Sequence, residues 1–526
     1  MLFNSATYLF AFLPLSLIAF YLLAAVSKDA AKLFLIAASL FFYGWASAKF
    51  LPLLVGSVVV NYLLGRLIIQ ANDREDMARV ALLRNSGVLV NLALLIYFKY
   101  TNFFIENVNA IADTRLQLFH IVLPLGISFF TFQRIAYLID CARGEISCGR
   151  FVDFAAISVF FPQLISGPIV LYGEAKPQFE SGRLGSRAGS NLTVGLVIFA
   201  VGLFKKAVLA DNAGYACDPV FDIVQSGGSP GAVAAWLAIF AYTAQLYFDF
   251  SGYSDMAIGS ARMFGIRLPL NFHSPLRASS IMEYWRRWHM TLNRFMVRYF
   301  LPVLSLGLTR AAIASRFGPR VTFFASVVLP VFLTFVVIGA WHGASWTYVL
   351  FGVVHAIYVS ANEIWRNMRK RRRKKQGKRL PREAPSFAGR VSAHVLTIVC
   401  VIAANVLFRS DSVKSAFAFY GSMLGLSHNP ESAASAPFRP ELLLFVAAGW
   451  FIILFLPNTQ QIMRAYRPAV NWNQWKDVAL PGRTRFINWR PNLVGLAACG
   501  AVLAASITAL IIEMSREPAQ FVYFQF

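Results

Sequence analysis

The chain has 526 residues, is 57% hydrophobic and only 14% charged, and has a mean hydropathy of +0.56. A soluble domain is about one quarter charged, so these values exclude a soluble enzyme and predict an all-α polytopic membrane protein. The formal net charge of +24 falls mostly in short connections; that fits cytoplasmic loops facing anionic lipid, and no nucleic-acid role is expected.

Five cysteines, Cys141, Cys148, Cys217, Cys400 and Cys499, are scattered without metal-ligand spacing, so neither a disulfide framework nor a metal site is expected. No Lys or Arg precedes Lys28, and the first apolar run reads as a retained helix rather than a signal peptide.

Residues 6–26, 31–45 and 51–69 are apolar segments with very short links. Arg66, Arg74, Arg79 and Arg84 surround the first loop, which predicts that it is cytoplasmic. Residues 88–98 form the next apolar segment, and Lys99 and Tyr100 close it as an interfacial anchor. Arg134 then falls inside an apolar run. An arginine facing lipid is costly, so pairing with Asp140 or another carboxylate is expected, with substrate contact as the lesser alternative.

Two prolines and a glycine in 152–170 predict a broken or re-entrant segment. Residues 171–187 read as a polar loop, and 192–209 as a span with Lys205 and Lys206 near its end. Residues 232–248 lead into Asp249, Ser251, Tyr253 and Asp255. The two carboxylates could form a polar cavity wall or cap the next helix; capping and scaffolding is the expectation. Around Tyr284–Leu292, a continuous helix would put Trp285, His289, Leu292, Met296 and Phe300 on one face, with Arg287, Arg294 and Arg298 opposite. That is a basic amphipathic helix, interfacial or re-entrant, with His289 pointing inward.

From Arg320 to Glu363 no Asp, Glu, Lys or Arg intervenes. In the middle stands Gly339-Ala340-Trp341-His342-Gly343-Ala344-Ser345-Trp346. Basic residues at both ends predict a hairpin with His342 near its apex, its first arm bent at Pro330. Each arm is about long enough to cross a core of roughly 30 Å. An ionisable intramembrane residue is a functional-site hypothesis; the plain alternative is a neutral histidine hydrogen-bonded at a helix corner.

Residues 365–390 read as a basic cytoplasmic loop within a single integral membrane domain spanning 1–526. Residues 391–407, 442–456 and 493–512 are further spans, and 464–490 is a second basic loop. The count is about 11–13 transmembrane helices plus re-entrant and interfacial ones. No internal repeat is visible, which weighs against repeat-built transporters.

These stretches together resemble the bacterial membrane-bound O-acyltransferases, in the branch holding the alginate O-acetyltransferase membrane subunit and the D-alanyl transfer protein. The resemblance rests on Leu95–Tyr100, Leu123–Asp140, Phe161–Pro168, Tyr247–Gly259, Asn271–Pro275, Tyr284–Leu292, Gly339–Trp346, Val406–Ser412 and Tyr523–Phe526, in that order. It implies many helices around a central funnel, with donor and acceptor approaching from opposite faces. It implies that His342 is the catalytic histidine and His289 the second functional one. The same stretches supply candidate substrate-binding residues Trp341, Asn271, Trp285, Arg134, Asp249, Ser251 and Tyr253. One departure is that Val297-Arg298-Tyr299 and Leu301–Gly307 replace the family's usual continuation, followed by a basic segment, Arg310–Arg320; this bears on the docking surface or acceptor more than on the chemistry.

The implied reaction moves an acetyl group from acetyl-CoA or an acyl-carrier thioester, with no bound cofactor, in the bacterial inner membrane. The acceptor is an exopolysaccharide hydroxyl, as in alginate biosynthesis, or an extracytoplasmic relay protein. A histidine near its usual pKa can act as the base. Competing readings are a transporter or flippase without acyl chemistry, and a lipid O-acyltransferase.

Overall fold

The computed structural model describes residues 1–147, 149–375, 386–426, 440–478 and 487–514, and among these no strand occurs. Cys148, residues 376–385 of the basic loop, part of the second basic loop and the terminal Tyr523–Phe526 motif lie outside the described residues.

The helices are α1 (Leu13–Val26), α2 (Lys28–Ser47), α3 (Leu51–Asp73), α4 (Met77–Ala112), α5 (Ile127–Ala142), α6 (Phe151–Val159), α7 (Phe161–Leu164) and α8 (Tyr172–Glu180). Then come α9 (Ala188–Phe204), α10 (Asp211–Gln225), α11 (Ala232–Met263), α12 (Ile281–Arg287), α13 (Met290–Phe295), α14 (Leu301–Ala314) and α15 (Pro319–Phe323). The last are α16 (Leu329–His342), α17 (Trp346–Lys375), α18 (Phe387–Arg409), α19 (Val413–Met423), α20 (Pro440–Phe455), α21 (Thr459–Ile462) and α22 (Leu493–Met514). Among the described residues, nine helical runs are long and apolar enough to cross a membrane, and one of them, Lys28–Asp73, contains both α2 and α3.

The centre is the pair α9 and α11. Their backbones touch: a Cβ on Gly202 would lie 2.7 Å from the Gly252 carbonyl oxygen, and one on Gly195 would lie 2.7 Å from that of Gly259. Small residues permit such contact where lipid gives helices no hydrophobic drive to associate. Directly after α9 a π-helical turn, Lys205–Ala210, presents two consecutive lysines to α11. Lys206 pairs with Asp249 at 2.9 Å and Asp211 at 2.7 Å, and Lys205 with Asp255 at 2.6 Å. Asp255 also accepts from Thr459 at 2.6 Å and Gln460 at 2.8 Å. Buried carboxylates persist only when paired and hydrogen-bonded in this way.

Several local expectations change. α11 runs unbroken through 248–256, so Asp249 and Asp255 cap no helix; they are counter-ions inside one. α4 continues past Lys99 and Tyr100 to Ala112, so these two close no segment. Residues 171–187 contain α8. Arg134 does not pair with Asp140. Its guanidinium donates to the Ser158 carbonyl at 3.2 Å and lies over the Phe154 ring, while Asp140 accepts from Tyr299 at 2.7 Å and Arg298 at 3.4 Å. Among the described residues, Cys217, Cys400 and Cys499 are free thiols. The broken segment expected at 152–170 is present: α6 ends at Val159, α7 is a single turn, and the chain is then irregular to Tyr172.

Candidate active site

α16 and α17 form the hairpin. A π-helical turn, Phe324–Val328, precedes Pro330, so the missing proline N–H falls in the first turn of α16. α16 ends at His342 because Gly343 is extended. The arms close tightly: a Cβ on Gly339 would lie 2.3 Å from the Tyr348 carbonyl oxygen. From Arg320 to His342 the helical rise is about 33 Å at 1.5 Å per residue, so His342 stands at the end away from the basic connections. It is 4% exposed. Its ring centroid is 5.1 Å from those of Trp341 and Phe408, 6.2 Å from Phe351 and 6.5 Å from His289.

His289 arrives there by a route that helical periodicity misses. The expected continuous helix breaks: α12 ends at Arg287, Trp288 is extended, and His289 takes φ 42° and ψ 52°. A non-glycine residue in that left-handed region costs on the order of 1–3 kcal/mol, and such residues cluster at functional sites. The break turns the imidazole into the core, where it meets Phe250 at 4.8 Å and Trp341 at 5.8 Å. Asn271 fixes its orientation. The Asn271 Oδ1 accepts from His289 Nδ1 at 3.2 Å and from the Thr291 hydroxyl at 2.9 Å, while its Nδ2 donates to Ser254 at 3.1 Å. With Oδ1 facing Nδ1, this network assigns the proton of His289 to Nδ1 and leaves Nε2 as the basic nitrogen.

A cavity of about 140 Å³ opens beside His342, lined by Lys99, residues 123–129, Ile165, Ser166 and Trp341. Lys99 donates to the main-chain carbonyls of Trp341 and His342, the latter at 3.1 Å, and Tyr100 donates to that of Ala340 at 2.8 Å. Three consecutive carbonyls at the C-terminus of α16 are thereby capped from α4.

The other candidates divide. Trp341 and Asn271 lie at the histidine pair. Trp285 is one step removed: its indole N–H donates to Nδ1 of His355 at 3.1 Å. Arg134 and Asp249 serve the contacts given above, Tyr253 stacks on Phe3 at 5.0 Å, and Ser251 is buried within α11. From the Tyr247–Gly259 stretch it is Phe250 and Ser254, not Asp249, that face His289 and Asn271. Sequence reasoning passed over His355, the second histidine in the uncharged run 321–362, and gave Lys99 an interfacial role. The signal for both was an ionisable group in an apolar segment.

Chemically, two buried imidazoles and a small cavity suit proton transfer to and from a reactant held away from bulk water. Known proteins resemble this chain over most of its length. The description "MBOAT, membrane-bound O-acyltransferase family" matches residues 143–382. A peptidoglycan O-acetyltransferase of Helicobacter pylori is 36% identical over 454 residues, covering 81% of this chain and 80% of that protein. A probable alginate O-acetylase of Pseudomonas syringae is 35% identical over 428 residues, 80% of this chain and 75% of that protein. A teichoic acid D-alanyltransferase of Streptococcus thermophilus is 28% identical over 257 residues, 48% of this chain and 60% of that protein. With a multi-pass helical architecture and similarity over four fifths of its length, the chain belongs to the membrane-bound O-acyltransferase family.

Proposed function

We infer that this protein moves an acetyl group from a cytoplasmic thioester, acetyl-CoA or an acyl carrier, to a hydroxyl on the far side of the bacterial inner membrane. The acceptor is an extracytoplasmic polysaccharide or a relay protein that passes the group on. The observation that carries this reading is the buried pair His342 and His289, rings 6.5 Å apart, beside a cavity. The names of the relatives, which concern acetylation of peptidoglycan and alginate, favour acetyl over longer acyl groups. The described helices act as one membrane domain, with 365–390 as a basic cytoplasmic segment whose two ends belong to α17 and α18.

In this mechanism the acceptor hydroxyl attacks the thioester carbonyl carbon. His342 takes the hydroxyl proton as the C–O bond forms. The tetrahedral intermediate collapses by breaking the C–S bond, and the proton on His342 goes to the departing thiolate. His289, oriented by Asn271 with Nε2 as a hydrogen-bond acceptor, helps to hold the reacting hydroxyl. Direct transfer of this kind needs no acyl-enzyme.

The test is label transfer and thioester cleavage from labelled acetyl-CoA, by protein in nanodiscs and by membranes of the native host. His342→Ala and His289→Ala should each lose turnover while staying folded. Transfer retained by His342→Ala overturns the base assignment. Silence of the wild type in native membranes overturns acyl chemistry in favour of transport.

A further inference from the structure

The start of α9 and the end of α11 meet, on the side of the basic connections, in a cluster of arginines. Arg187 directly precedes α9, Arg262 lies in the last turn of α11 and Arg267 follows it. Arg467 belongs to the segment whose Val470 N–H donates to the Leu268 carbonyl at 3.1 Å. Arg262 is only 6% exposed, and its Nε–H has no acceptor among the described residues. The side chains whose charge acts on it are Arg267, Tyr21 and Arg187; those acting on Arg267 are Arg467 and Arg187. No carboxylate is among them. A buried guanidinium with like charges for neighbours is costly unless an anion joins it. The helix dipoles supply none. The C-terminus of α11 offers about half a negative charge, and the uncapped N-terminus of α9 sets about half a positive charge near it. The two ends stand at one level: a Cβ on Gly265 would lie 3.2 Å from Nδ2 of Asn191.

We propose that this cluster binds the phosphate of an anionic phospholipid in the cytoplasmic leaflet. Guanidinium forks match phosphate oxygens in pairs. α1 supplies the bed for the acyl chains. Its Tyr21 donates to the Met263 carbonyl at 2.6 Å, and a Cβ on Gly185 would meet that of Ala24 at 2.7 Å, so the end of α1 packs against the cluster. Ile18, Leu22 and Val26 share one face of the same helix and are 60%, 66% and 87% exposed. A lipid uses both the apolar face and the charge, whereas a soluble phosphate uses only the charge. A zwitterionic headgroup would bring a cation of its own into a cluster that already repels, so the headgroup carries net negative charge, as phosphatidylglycerol does. The site involves neither His342 nor His289 and holds whether or not the chain transfers acetyl groups.

The experiment is lipid retention by the full-length protein, read by native mass spectrometry after extraction from nanodiscs holding phosphatidylglycerol and phosphatidylcholine in equal amounts. The wild type should keep phosphatidylglycerol at least about tenfold over phosphatidylcholine. Arg262→Gln should abolish that preference, and Arg187→Gln and Arg467→Gln, at exposed positions, should each weaken it. The control is Arg369→Gln with Arg371→Gln on α17, which removes two charges from the same side of the membrane and should leave the preference intact. Equal retention of the two lipids by the wild type overturns the proposal. A control that falls as far as Arg262→Gln does so too, because retention is then general attraction to basic segments. Should Arg262→Gln fail to fold, the two exposed variants decide, and an unchanged ratio in both overturns the proposal. A second arm adds inorganic phosphate or coenzyme A to the wild type in phosphatidylcholine nanodiscs and follows the melting temperature. No shift is expected; a stabilisation that Arg187→Gln abolishes gives the cluster to a soluble phosphate and overturns the lipid assignment.

Discussion

The carboxamide oxygen of Asn271 faces Nδ1 of His289 across 3.2 Å, and this one bond decides which nitrogen of that ring is basic. Asn271 touches no reacting atom; it is a positioning residue. In Asn271→Ala the ring is free to turn and to change tautomer. We expect kcat to fall by about a hundredfold, in the range that general acid–base groups contribute, with KM for the thioester nearly unchanged. A change in KM alone would mean that Asn271 shapes the donor site instead.

The contact between Trp285 and His355 predicts a thermodynamic signature. Trp285→Phe leaves Nδ1 of a fully buried imidazole without its donor. That should cost about 1–3 kcal/mol of stability. His355→Leu in the same background removes the orphaned acceptor, so the double variant should be more stable than the sum of the two single losses implies. Thermal unfolding in detergent measures all four corners of the cycle; strict additivity contradicts the bond.

Gly352 meets the other arm of the hairpin, where an added Cβ would lie 2.5 Å from the Phe335 carbonyl oxygen. Gly352→Ala therefore forces α16 and α17 apart, at a cost of about 1–3 kcal/mol. Because α16 carries His342 at its end, acetyl transfer should drop as well, although the histidine is intact. A variant with wild-type melting and turnover would show that the hairpin relaxes without strain.

Tyr100 gives a milder prediction. Tyr100→Phe removes the bond to the Ala340 carbonyl and leaves the two Lys99 bonds in place. The loss should be about 0.5–1.5 kcal/mol. Adding Lys99→Gln should then cost more than in the wild-type background, since the two residues cap neighbouring carbonyls of one helix end.

His273, in the connection between α11 and α12, predicts a pH dependence. Its Nε2 meets the Val478 carbonyl at 2.9 Å and Asn458 Nδ2 meets its Nδ1 at 3.3 Å, an arrangement for the neutral ring. Burial pushes its pKa down to about 4 from 6.5. Below pH 6.5 the unfolded chain takes up a proton that the folded one refuses, so this contribution to stability declines as pH falls from 6.5 toward 4. His273→Gln should flatten the melting temperature in that window. An unchanged slope would assign the dependence to other groups.

How much of this was legible beforehand differs by element. The uncharged run 321–362 with a histidine at its centre is a property of order in the chain, so the hairpin and His342 at its apex could be read from the sequence. The same holds for the broken segment at 152–170, because proline and glycine act locally on the backbone. The membrane class followed from composition, since a chain this apolar has too little polar surface for water. What sequence did not disclose depends on pairing across distance. The break before His289 overrides helical periodicity, because Asn271 and Phe250 secure the ring in the core at a backbone angle that no local preference favours. Lys99 read as an interfacial anchor until α4 was seen to run beside the end of α16. Asp249 and Asp255 read as caps until the lysines at the end of α9 were found opposite them. A lone charge in an apolar segment announces that a partner exists, because burying it unpaired is costly. Which residue answers is settled only when helices distant in sequence pack side by side.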